Sequence, residues 1–110
     1  EGYSTHLVAK EACSVIEKHA PSKPLFLYVP FNGVHSPFQA PDQYTAAYPN
    51  LVSNRKKLAG MLATVDEAVA QIVASLKKTG MLENTLIIFA ADNGTLMVPQ
   101  QVYHLKKYYY

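Results

Sequence analysis

The sequence predicts an α/β fold in which helices and strands alternate in the order α-β-α-β, as a fragment of a parallel or mixed sheet with flanking helices. Two continuous apolar runs, at residues 25–29 and 85–91, have the composition of strands that are covered on both faces. A long amphipathic segment lies between them. A helix that joins two such strands predicts a right-handed crossover, which places the strands side by side and parallel.

The first helix is expected over residues 4–19. Ser4 or Thr5 can serve as its N-cap. Apolar residues at helical spacing form its expected buried face, and Pro21 ends the segment because neither a proline nor the residue before it continues a helix. The residues of that face are Leu7, Val8, Ala12, Val15, Ile16 and His19.

The first strand is expected over Leu25–Val29 and ends at Pro30, which cannot donate a hydrogen bond to a sheet. Residues 31–48 contain Gly33, Pro37 and Pro41 and are expected to form a loop at the carboxyl end of that strand.

The second helix is expected over residues 55–79, with Gly80 suited to a left-handed cap after its last turn. The second strand, 85–91, follows and ends at Asp92-Asn93-Gly94. Residues 95–110 show no clear period. The predicted organisation is therefore a partial domain at 1–94 and a divergent tail at 95–110.

Composition narrows the class of protein. Of 110 residues, 49% are hydrophobic and 16% charged, which is typical of a globular chain. Ten basic residues against eight acidic ones give a net charge of +2. Apart from Arg55-Lys56-Lys57 and Lys106-Lys107 the basic residues are scattered, so no nucleic-acid-binding surface is expected. No apolar run approaches the ~18 residues of a transmembrane helix, and no signal peptide or other targeting signal is apparent. The single cysteine, Cys13, has no internal disulfide partner and is expected to be a small buried residue.

Polar residues follow both predicted strands. His35 comes shortly after the first strand, and Asp92 and Asn93 come directly after the second. In open α/β sheets, ligands bind outside the carboxyl ends of the strands, so these side chains are expected at the same rim.

Each of these residues also has a simpler interpretation. Asp92 and Asn93 offer carboxylate and amide oxygens that suit Ca²⁺ or Mg²⁺, but Asp-Asn-Gly is also common turn chemistry. The triplet Asn93-Gly94-Thr95 matches a glycosylation sequon, which would exclude metal binding by Asn93. His35 could bind an anionic oxygen or act as a general acid, whereas a lone histidine is more often a surface or structural residue.

Taken together, an ordered set of short segments across about residues 2–94 resembles the sulfatase family, most closely its arylsulfatase B-like branch. The matching segments are Gly2-Tyr3-Ser4-Thr5, Lys23-Pro24-Leu25-Phe26-Leu27-Tyr28, Val34-His35-Ser36-Pro37, Tyr44, Ala59-Gly60-Met61, Val65-Asp66-Glu67-Ala68-Val69, Asn84-Thr85-Leu86-Ile87-Ile88-Phe89 and Asp92-Asn93-Gly94.

The resemblance implies a large α/β enzyme of the alkaline-phosphatase-like superfamily, a calcium-dependent sulfuric ester hydrolase of the arylsulfatase type. Its nucleophile is a formylglycine made from the cysteine of a Cys-x-Pro-x-Arg motif. By resemblance, Asp92 and Asn93 are two of the calcium ligands. His35 is the catalytic and substrate-binding histidine that contacts the sulfate. The expected substrate is a sulfated small molecule or a sulfated glycan, and the expected location is the lysosome or the secretory pathway.

Two departures from the family pattern change the expected activity. No Cys-x-Pro-x-Arg motif occurs, since Cys13 is followed by Ser14-Val15, and the first pair of metal-binding aspartates is missing. The chain is therefore expected to be an internal fragment that is inactive alone and needs the missing remainder of the sulfatase domain as its partner. The alternatives are a non-catalytic sulfatase-like remnant or binding module, or a phosphodiesterase or phosphatase relative.

Overall fold

The computed structural model describes residues 2–91. They contain three α-helices, α1 (Ser4–Lys18), α2 (Asp42–Ala46) and α3 (Ser53–Lys78), followed by a 3₁₀ turn at Leu82–Asn84. Both long helices were predicted, and their ends fall within two residues of the expected positions. Helix α2 lies inside the segment that was expected to be a loop.

The core forms where α1 packs against α3. Its buried apolar residues come from both helices, and Ile16 is only 1% exposed. Their spacing within each helix is that of one face, so each helix presents a single stripe to the other. These core residues are Ala9, Ala12 and Ile16 of α1, with Met61, Val65, Ala68 and Leu76 of α3.

The buried face of α1 is only partly the predicted one, since Ala12 and Ile16 are buried as expected. Leu7, which was expected to be buried, is 54% exposed. Thr5, by contrast, is 1% exposed and lies on the same buried face as Ala9 and Ala12. Small side chains allow two helices to approach closely, and here they outweigh hydrophobicity in deciding which face is covered.

The carboxyl end of α3 has the predicted glycine cap. Gly80 has a φ of 73°, its N–H donates to Lys77 O at 3.1 Å, and the N–H of Met81 donates to Leu76 O at 2.9 Å. This pair of bonds defines a Schellman motif, in which a residue with positive φ satisfies two terminal carbonyls of the helix.

The α-β-α-β prediction was wrong. No β-strand or bridge occurs among residues 2–91, and the runs 25–29 and 85–91 lack regular secondary structure. The side chains of these runs were expected to be buried on both faces of a sheet. They are exposed to solvent instead, with Phe26 93% and Leu86 85% exposed. A strand exists only where its backbone groups pair with a neighbour. Since neither run meets a pairing strand in the described region, the predicted parallel sheet and its crossover are absent there.

The sequence predicted no transmembrane segment, and α3 is the helix against which that prediction is compared. Its 26 residues include an 18-residue window with a mean hydropathy of 1.3, so by length and composition alone it is long and apolar enough to cross a membrane. The core helix of a soluble protein passes the same test. Here α3 buries one face against α1 and α2.

Candidate functional site

His35 lies exposed in the loop between the first apolar run and α2. Its backbone N–H donates to Asn32 O at 3.1 Å, which closes a turn over residues 32–35. The Gly33–Val34 and Ser36–Pro37 peptide bonds are cis.

The imidazole of His35 has a defined tautomer. Its Nδ1 lies 2.6 Å from the carbonyl oxygen of Ser36. Because a carbonyl oxygen only accepts hydrogen bonds, Nδ1 must carry a proton and donate it. Nε2 is then an acceptor in the neutral ring and a donor in the imidazolium. A ring held in this way can contact an anionic oxygen through Nε2.

One hydrogen bond fixes the far end of the His35 loop. The hydroxyl of Tyr3, which precedes α1, donates to Gln39 O at 2.9 Å. The ring of Tyr3 also meets the ring of His6 edge-on, with centroids 5.3 Å apart. The loop is therefore attached to the start of α1 four residues beyond His35.

A second polar cluster ties α2 to both long helices. The Tyr44 hydroxyl donates to Glu67 Oε2, and Gln71 Nε2 donates to Glu67 Oε1 at 3.0 Å. His6 Nε2 lies 3.0 Å from the Tyr44 hydroxyl. Since the proton of Tyr44 goes to Glu67, His6 Nε2 is the donor in that contact. The hydrogen bond to the Glu67 carboxylate, with a smaller contribution from burial, raises the pKa of Tyr44 above its usual value.

Sequence reasoning missed this cluster. Tyr44, Asp66 and Glu67 were noted only as matches to the family pattern. Asp66 and Glu67 are both exposed, and the Glu67 carboxylate also accepts two hydrogen bonds. The pair Glu67 and Gln71, four residues apart on a helix, was the one local signal available.

The predicted metal ligands cannot be placed beside His35, because Asp92 and Asn93 lie outside the described residues. Within residues 2–91, no group of three or more His, Cys, Asp or Glu side chains is arranged to hold a metal ion. Cys13 is half-buried, with a free thiol.

Comparison with known proteins decides the family. The sulfatase family model matches residues 1–110, which is the whole chain. The chain belongs to the sulfatase family. The resemblance inferred from the ordered segments is therefore confirmed.

Individual relatives show how much of a sulfatase is represented. The chain is 41% identical to mouse arylsulfatase J over 93 residues, which are 84% of this chain and 16% of that protein. It is 31% identical to the uncharacterized sulfatase YdeN of Escherichia coli, over 88% of this chain and 18% of YdeN. Mouse N-acetylgalactosamine-6-sulfatase is 29% identical, over 89% and 18% respectively. The chain thus spans less than a fifth of each of these relatives.

A solved structure agrees with the family assignment. The crystal structure of Ps i-CgsB in complex with k-i-k-neocarrahexaose superposes with a TM-score of 0.67 at 39% sequence identity. The match covers 72% of this chain and 18% of that one.

Proposed function

We propose that this chain is the part of a calcium-dependent sulfuric ester hydrolase that supplies the sulfate-contacting histidine and two of the calcium ligands. The observation that carries the proposal is the geometry of His35. Its imidazole is exposed on an anchored loop, and its Nδ1 proton is committed to Ser36 O, which leaves Nε2 for a ligand. Membership of the sulfatase family supports a sulfate ester as that ligand.

His35 has two uses in such a site. As an imidazolium, it places a positive charge and an Nε2–H donor against a sulfate oxygen or the leaving-group oxygen of the ester. Donation to the leaving group is general acid catalysis, which contributes typically about 10²–10⁴ to the rate. The Nδ1–H bond to Ser36 O holds the ring while Nε2 donates its proton or takes it up.

Asp92 and Asn93 would hold the calcium ion. A carboxylate and an amide carbonyl are hard oxygen donors, which Ca²⁺ prefers, so the donor set fits the ion. Bound calcium would supply fixed positive charge to the sulfate oxygens. Ca²⁺ takes about six to eight oxygens, so most of its ligands would come from outside this pair.

The nucleophile must also come from outside these residues. The sequence contains no Cys-x-Pro-x-Arg motif, so the 110 residues alone are expected to show no turnover. In the full-length protein, the remainder of the sulfatase domain would supply this group and the other calcium ligands.

We propose a sulfated glycan as the substrate class. One relative is named for an N-acetylgalactosamine 6-sulfate, and the matching crystal structure holds a neocarrahexaose. A sulfated small molecule would meet the same histidine and the same ion. The proposed location is the lysosome or the secretory pathway.

Calcium titration of the full-length protein tests the metal assignment. Asp92→Ala is expected to abolish aryl sulfate hydrolysis and the response to calcium, because it removes a charged ligand. His35→Ala is expected to lower kcat and leave calcium binding intact. The matched control is Asp66→Ala, which removes an exposed carboxylate from α3. If Asp92→Ala keeps normal turnover at low calcium, the assignment is wrong.

A further inference from the structure

We propose that Gly33 is a positioning residue for His35, because its missing side chain lets the loop lie directly against α3 and α1. The inference rests on the proposed role of His35 in the sulfate site. Gly33 is not part of the matching segments that carry the resemblance, and its contacts are what single it out.

The space beside Gly33 is too small for a methyl group. A Cβ built on Gly33 would lie 3.0 Å from Val65 Cγ2, 3.9 Å from Met61 O and 4.0 Å from Thr5 Oγ1. Carbon atoms pack best about 3.5–4.0 Å apart. A side chain at this position therefore requires either the loop or the helix to move by a few tenths of an ångström.

The helix side of this contact resists movement. Val65 is 7% exposed and Thr5 is 1% exposed, and both lie in the packed contact between α1 and α3. A β-branched valine has one strongly preferred χ1 rotamer in a helix, so Cγ2 cannot easily rotate away. The exposed loop is the part that would move.

Movement of Gly33 would be passed to His35. The two residues share the turn closed by the bond from His35 N–H to Asn32 O, and the imidazole is further held by Ser36 O. A shift of the turn would displace Nε2 relative to groups contributed from elsewhere in the site. The φ of Gly33 lies outside the left-handed region, so the close contact, not a conformation reserved for glycine, explains the residue.

A double-mutant cycle in the full-length protein tests the inference. The variants are Gly33→Ala, Val65→Ala and the two together, with kcat and KM for an aryl sulfate and the midpoint of thermal unfolding measured for each. Gly33→Ala is expected to lower kcat about tenfold with little change in KM or in the midpoint, since a misplacement of 1 Å costs about 10²-fold. The double variant is expected to recover most of the lost kcat, because Val65→Ala removes the atom that the new methyl would meet.

Different results separate this inference from the proposed function. A Gly33→Ala variant with kcat close to wild type overturns the inference, and so does a loss of kcat that the double variant does not restore. If Gly33→Ala does not fold, a folded and active double variant supports the contact, whereas an unfolded one overturns it. His35→Ala is measured alongside, and wild-type kcat in that variant overturns the proposed function itself.

Discussion

Gly60 makes the closest contact of any described glycine, and its replacement by alanine gives a sharp test of the packing. It lies within α3 and is buried. A Cβ there would meet Thr45 Cγ2 at 2.9 Å, Ala40 Cβ at 3.0 Å and Thr45 N at 3.4 Å. Gly60 is therefore the point where α3 touches α2 and the end of the His35 loop.

Two opposing effects set the size of the stability change caused by Gly60→Ala. Alanine is favoured over glycine inside a helix by about 1 kcal/mol. Overpacking a close contact costs typically about 1–3 kcal/mol. Ala40 Cβ is fixed by its own backbone, so the contact cannot be relieved by rotating a side chain alone. We therefore expect the packing cost to exceed the gain in helix propensity, with a net loss of ~1 kcal/mol of local stability.

Amide hydrogen exchange of α2 and α3 in the full-length protein measures this change. The matched control is Ala70→Gly, at an exposed position of the same helix, which reports helix propensity alone. Gly60→Ala is expected to speed exchange in α2, where the control leaves it unchanged. Slower exchange in Gly60→Ala, as propensity alone predicts, would refute the close-packing argument.

Three further predictions concern stability, each measured by unfolding of the variant against the wild type. The buried hydroxyl of Thr5 has no hydrogen-bond partner in the described region, whereas that of Thr64 donates to a carbonyl at 2.7 Å. Thr5→Val is therefore expected to be neutral or stabilising, and Thr64→Val to cost about 1 kcal/mol; the reverse order would contradict this. Tyr44→Phe is expected to destabilise at neutral pH. Because the hydrogen bond to Glu67 raises the pKa of Tyr44, the protonated phenol is the form that stabilises the folded state. The loss of stability in Tyr44→Phe should therefore vanish as the pH rises above about 10 and through that raised pKa. A loss that persists at high pH would argue against the hydrogen bond. Lys78→Ala removes an ion pair between exposed side chains at 3.1 Å and is expected to cost less than about 1 kcal/mol; a larger loss would contradict this.

The long helices were predictable because their signals are local. Apolar spacing identified α1 and α3, and Gly80 marked the end of α3 through a requirement for positive φ that glycine meets at low cost. The covered face of α1 was only partly predictable. Ala12 and Ile16 were expected there, but the packing against α3 also covers the small Thr5 and Ala9 and leaves the larger Leu7 exposed.

The failure of the strand prediction has a physical cause. Runs 25–29 and 85–91 have strand-like composition, but a strand also needs a hydrogen-bonding neighbour, which no local pattern specifies. The polar cluster that ties α2 to the long helices was unpredictable for a related reason. The contact of His6 with Tyr44 spans 38 residues, and that of Tyr44 with Glu67 spans 23. The histidine itself could be proposed from its motif.

Hydrolysis of p-nitrophenyl sulfate by the full-length protein, with p-nitrophenyl phosphate as the competing substrate, tests the central claim most directly. His19→Ala is the control for His35→Ala, because His19 binds Lys23 O at the opposite end of α1. We predict calcium-dependent turnover of the sulfate ester, lowered about 10²–10⁴-fold in His35→Ala and unchanged in His19→Ala. Turnover of the phosphate ester without the sulfate ester would instead indicate a phosphatase relative. No turnover of either would indicate a non-catalytic sulfatase-like protein.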